Sequence, residues 1–209
     1  MARHIGLWLI LLAVAALLAP AMLPAQGVVG RMNDELGMVV SALGAGQAKR
    51  IVDGANRQFE TLFAGSGWLR SVSAAYVEEP AVPHADRFMP WVGRLTSATN
   101  GYLLSLAGTS YAMLVRLNIL AAWTPYVVPF LLAAMIDGAV RRRIKLMSFG
   151  FFSPVALSVA LHSFVALAFL PLLYLILPVP VSPLVVPFWA LATALPLMLL
   201  AANIQRIRG

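Results

Sequence analysis

Four cations within five residues, in the run Asp137-Gly138-Ala139-Val140-Arg141-Arg142-Arg143-Ile144-Lys145, stand between two almost uncharged hydrophobic stretches. Such a cluster stops a membrane helix and resists translocation, so it predicts a cytoplasmic turn between two spans. Every other segment is oriented from that turn. Of the 209 residues 61% are hydrophobic and 11% are charged, a balance far from that of a soluble domain. The formal charge of +7 is unevenly placed: residues 25–100 balance seven cations with seven anions, and the excess sits at Arg3, the basic turn, Arg206 and Arg208, with Arg116 as the remaining cation. Excess charge beside hydrophobic spans reads as a positive-inside signal, with anionic phospholipids as neighbours and no direct nucleic-acid contact expected. The absence of cysteine excludes disulfides, thiolate metal sites and cysteine nucleophiles.

These features predict an all-α membrane protein with about four transmembrane helices plus an amphipathic helical periplasmic segment. Residues 1–24 hold the first span, because the apolar run 5–23 matches a ~30 Å hydrocarbon core. Ala19-Pro20-Ala21 leaves a cleaved signal peptide as the competing reading. Residues 25–118 form the periplasmic or interfacial part. Val29, Met32, Leu36, Val39, Val40 and Leu43 recur there at three- and four-residue steps, which predicts an amphipathic helix within residues 28–63. Gly30, Gly37 and Gly44 fall near one face of it; they read either as a helix-packing or oligomer face or as a loose helix broken near Gly44 and Gly46. Pro80, Pro83, Pro90, the pair Glu78-Glu79, and Trp68 and Trp91 predict an irregular or hairpin-like segment over residues 65–94.

Residues 95–140 would make a helix of roughly 69 Å, about twice what a bilayer needs. The expected division is a helix over 97–118 near the outer leaflet and a second span over 119–140, kinked at Pro125 and Pro129. Arg116, the intramembrane polar residue of this stretch, is expected to snorkel at the outer interface, and Trp123 and Tyr126 to lie in the outer aromatic belt. Residues 119–145 thus comprise the second span and the basic turn. Residues 146–209 form a hairpin of spans over 153–177 and 184–202 with a basic tail; a proline-rich outer turn, Pro178 to Pro183, joins the two spans. Both termini are then cytoplasmic.

Asp137 precedes Arg141 by four residues, a spacing that favours a structural ion pair. Arg141, Arg142, Arg143 and Lys145 are the candidate contacts to a partner or to anionic lipid. His162 is an intramembrane polar residue expected to find a hydrogen-bond partner at Ser158 or on the fourth span, rather than to carry a proton or ligand. His4 and His84 are expected far from it, so no histidine metal cluster, and no cofactor, is anticipated. Neither a Gly-x-Ser-x-Gly elbow nor a phosphate loop occurs, which argues against a hydrolase or an ATPase.

The run Trp123-Thr124-Pro125, then Asp137-Gly138-x-x-Arg141-Arg142-Arg143-Ile144-Lys145, then Phe149-Gly150-Phe151-x-Ser153-Pro154 and His162, resembles small inner-membrane proteins of bacterial conjugation systems. These are the integrating conjugative element membrane proteins encoded near the type IV coupling ATPase. The resemblance is best over residues 119–202. It implies a multi-pass protein of the bacterial inner membrane that acts in DNA transfer through contact with the coupling ATPase or secretion-channel subunits, without catalysis. A homo-oligomer is compatible with it. The contrasting expectation is a small transporter or channel subunit, using His162 and Arg116, or an accessory subunit of another large membrane complex.

Overall fold

A computed structural model of the chain describes residues 2–22, 25–75 and 90–204. All its regular elements are helices, with no strand among the described residues: α1 (Ala2–Met22), α2 (Ala25–Leu43), α3 (Ala45–Phe59) running into a π turn (Glu60–Ala64), α4 (Trp68–Ala74), α5 (Pro90–Met147), α6 (Pro154–Ile176) and α7 (Val185–Asn203). Four of these are long and apolar enough to cross a membrane, over Arg3–Met22, Thr99–Met147, Pro154–Ile176 and Val185–Asn203. Leucine, isoleucine and valine side chains on them stand exposed, as expected of helices whose solvent is hydrocarbon.

Local signals explain most boundaries. Gly44 has φ 83°, a left-handed backbone that glycine adopts without penalty, and it separates α2 from α3. The expected amphipathic helix is therefore two helices with a break at Gly44. Ser153 caps α6, since its Oγ accepts the Ala156 N–H at 3.2 Å, and Pro154 follows at the first helical position, where its missing N–H is not needed. The expected separation of a 97–118 helix from a 119–140 span does not occur. Helix α5 runs unbroken for 58 residues with Pro125 and Pro129 inside it, because no residue between Asn118 and Trp123 opposes helix and proline is tolerated in membrane helices. The irregular segment expected over residues 65–94 is helical at α4 and again from Pro90; its centre, with Glu78, Glu79, Pro80 and Pro83, lies outside the described residues, as do His84, Arg206 and Arg208.

The chain divides into two compact units, one of Met1–Leu12, Leu120–Tyr174 and Pro183–Gly209, the other of Ala13–Ile119 and Leu175–Ser182. In the second unit, Val39 of α2, Ala55 of α3 and Ile119 of α5 are completely buried. The Asn118 amide donates to Gln58 Oε1 at 2.8 Å and the Tyr111 hydroxyl to Asn56 Oδ1 at 2.7 Å, so α3 lies against α5. Edge and stacked contacts continue from Tyr111 through Phe59 and Phe63 to Trp68. Trp68 thus fills a small aromatic core. In the first unit, α5 and α7 approach closely at Gly138: a Cβ there would meet the Met198 carbonyl oxygen and stand 2.7 Å from Ala201 Cβ. The Trp189 indole N–H donates to the Leu167 carbonyl at 2.7 Å, which ties α7 to α6, and Trp8 of α1 stacks on Phe169 of α6 at 5.7 Å.

The glycine stripe of α2 meets no described neighbour. Among the described residues nothing comes within 4 Å of a Cβ placed on Gly30, Gly37 or Gly44. Close backbone approach occurs at Gly138 instead. Gly138→Ala is therefore expected to lower stability by about 1–3 kcal/mol through overpacking. Gly30→Ala, gaining helix propensity, should be neutral or raise it by up to about 1 kcal/mol. Thermal unfolding of both variants in detergent micelles checks the contrast.

Candidate functional site

Three polar clusters stand out in this apolar chain. In the second unit, Arg116 projects from α5 toward Glu35 of α2. Its Nε donates to Glu35 Oε1 at 2.8 Å and its Nη2 to Oε2 at 2.7 Å, a bidentate pair whose side chains are only 4% and 7% exposed. Arg116 also donates to the carbonyls of Leu177 and Val179, the latter at 2.7 Å. Arg31 of α2 reaches the intervening carbonyl of Pro178 at 2.8 Å. Three successive carbonyls just beyond α6, which ends at Ile176, are thereby satisfied by two guanidinium groups. They belong to a proline-rich turn, where prolines offer no N–H to pair with them. The cavity beside the pair has a volume of about 30 Å³, room for little more than one water. The cluster is a clamp on a turn.

Arg116 is thus not the snorkelling residue expected at the outer interface. Its charge is neutralised inside the protein, which removes the need to reach water. Glu35 had no signal of its own, hidden in the charge balance of residues 25–100.

The second cluster is the basic end of α5, in the first unit; the cations expected in a turn are helical, since α5 continues to Met147 and the link begins only at Ser148. Asp137 and Arg141 form the expected ion pair at 2.9 Å, with side chains 49% and 57% exposed. Lys145 Nζ donates to Asn203 Oδ1 at 2.9 Å and lies 5.8 Å from the Phe152 ring centre. The same Asn203 oxygen accepts the Ser153 N–H at 3.4 Å, while its amide donates to the Leu199 carbonyl at 2.9 Å. Asn203 therefore joins the ends of α5, α6 and α7. Sequence reasoning missed it, although an asparagine closing an apolar span is itself a signal. Arg143 is exposed, and Arg142 is half-buried with its Nε lacking a hydrogen-bond partner among the described residues. Of the four candidate cations, two brace the helix end, Arg143 is exposed and Arg142 is half-buried.

The third cluster is His162, whose Nδ1 donates to the Ser158 carbonyl at 2.7 Å. This is the local partner anticipated for it. His4 corrects the expectation of distance: its ring centre lies 5.3 Å from that of His162. Helix α1 brings it there, with Trp8 one turn further along α1 donating to His4 Nε2 at 3.3 Å. Hydropathy identified both helices as spans but carried no information on which pack together.

A family model described as DtrJ-like, IncC plasmid conjugative DNA transfer protein DtrJ-like, matches residues 24–205. No curated protein and no solved structure matches the chain.

The two ion pairs should respond differently to neutralisation. Glu35→Gln or Arg116→Gln leaves an uncompensated buried charge or carboxylate, with an expected loss of roughly 3–5 kcal/mol. Asp137→Asn breaks an exposed pair, with an expected loss below about 1 kcal/mol. Chemical denaturation of the three variants in the same detergent checks the ranking.

Proposed function

We propose, from the premise that the chain belongs to the DtrJ-like family of IncC plasmid conjugative DNA transfer proteins, that it is a non-enzymatic scaffold of the bacterial inner membrane which contacts the coupling ATPase during conjugation. Four helices able to cross a membrane and cations concentrated beside them support a multi-pass protein with both termini cytoplasmic. Secretion-channel subunits are the second class of partner in this reading. The α2 face bearing Gly30 and Gly37, open among the described residues, is where a homo-oligomer would form.

The observation that carries the proposal is the division of labour within the basic helix end. Arg141 is held by Asp137 and Lys145 by Asn203, so the helix end has a defined shape. Arg142 and Arg143 then offer charge to an acidic partner surface at little ordering cost, and to anionic phospholipid when no partner is present.

Replacing Arg142 and Arg143 together with glutamine is expected to reduce co-purification of the coupling ATPase from donor membranes by roughly tenfold, the equivalent of about 1.4 kcal/mol, with a matching fall in transfer frequency. Membrane insertion should be unchanged. Unaltered capture and unaltered transfer would overturn the contact.

A further inference from the structure

Residues 148–153 link α5 to α6 and carry the most exposed aromatic side chains of the described chain. Helix α5 ends with the Ser148 N–H on the Ile144 carbonyl at 2.9 Å and the Gly150 N–H on the Lys145 carbonyl at 2.8 Å. This closure requires a left-handed residue just before Gly150. Glycine usually takes that position; here it is Phe149, with φ 50°, a strained conformation for a bulky residue. Among the described residues little packs on these side chains to offset the strain: Phe149 is 94% exposed, Phe151 is 96% exposed and Met147 is 83% exposed. Phe152 differs, lying under Lys145. The loop therefore turns one ring inward and holds two outward, around a glycine folded against Lys145.

The surroundings specify what would cover these rings. Arg142 and Arg143 lie in the last helical turns of α5, which precede the rings. Asp137, the only acid after residue 86, is already paired with Arg141. The tip is thus apolar with a cationic collar. A six-residue link spans about 20 Å at most when extended, and both helices it joins are long and apolar enough to cross a membrane. It therefore stays at the membrane face where those helices end. An anionic leaflet offers acyl chains to the rings and phosphates to the arginines at that level.

We propose that Met147, Phe149 and Phe151 form an aromatic wedge seated at the boundary between headgroups and acyl chains of an anionic leaflet, with Arg142 and Arg143 at the level of the phosphates. This deepens the lipid side of the function argued above and is independent of contact with the ATPase.

The chain has no cysteine, so Ser148→Cys gives a single spin-label position with both rings retained. Leu195→Cys, on the exposed face of α7, gives a reference within a span. Each labelled full-length protein is reconstituted into phosphatidylglycerol-containing and pure phosphatidylcholine vesicles, and depth is read from relaxation by oxygen against a water-soluble nickel chelate. The label at position 148 is expected about 5–10 Å below the phosphates in the anionic vesicles. It should move outward when Phe149→Ser and Phe151→Ser are combined, and also when Arg142→Gln and Arg143→Gln are combined. A label at 148 that is fully open to the nickel chelate while the one at 195 is lipid-buried overturns the wedge and leaves the tip as a protein-docking surface. If the label at 195 is also open to the chelate, the span fails and the wedge fails with it. Burial at 148 that is indifferent to anionic lipid and to the arginines overturns the assignment of the phosphates.

Discussion

The guanidinium of Arg116 is the constraint on which the second compact unit depends. A charge with a side chain 4% exposed is tolerable only if its hydrogens are met, and here a carboxylate from α2 and two carbonyls from the turn after α6 meet them. These groups lie 81 and 61–63 residues away along the chain. Alternative packings of apolar helices differ little in hydrophobic energy, since lipid and leucine are equally apolar. A bidentate pair with directional carbonyl contacts distinguishes one arrangement from its neighbours, which is the service buried polar groups perform best.

The first unit solves a different problem. It must end three helices near a cluster of cations without letting those cations collapse onto the nearest carbonyls. Asn203 does this with one side chain, accepting from Lys145 and from the Ser153 N–H while donating along its own helix. Small residues permit the close approach: Gly138 admits the Met198 carbonyl, and Ala160, Ala190 and Ala202 are nearly fully buried. Packing and polar bonding here meet at the same end of the helices, and the outcome is a basic helix end of defined shape.

What could be read in the sequence was local or compositional. Hydropathy indicated four spans, the glycines near residue 44 indicated a break in the amphipathic stretch, and four-residue spacing paired Asp137 with Arg141. Each signal is complete within a few residues. What could not be read was pairing between distant segments. Glu35 looks like any other acid among seven, and only the fold shows that Arg116 needs it. His4 gives no hint of His162, because leucine-rich spans are interchangeable as surfaces. The unbroken α5 was missed for another reason: length and two prolines argued for a division, whereas helix persists through both.

The clamp also has a history in time. Its two charges are synthesised early, but the carbonyls that complete it belong to a turn made later, so at ~5–20 residues per second the arginine waits roughly 3–12 s for its last acceptors across the 61 residues separating Arg116 from Leu177. Within this unit the proline turn is the segment synthesised last, so the carbonyl contacts of the arginine can form only long after its carboxylate partner is in the chain.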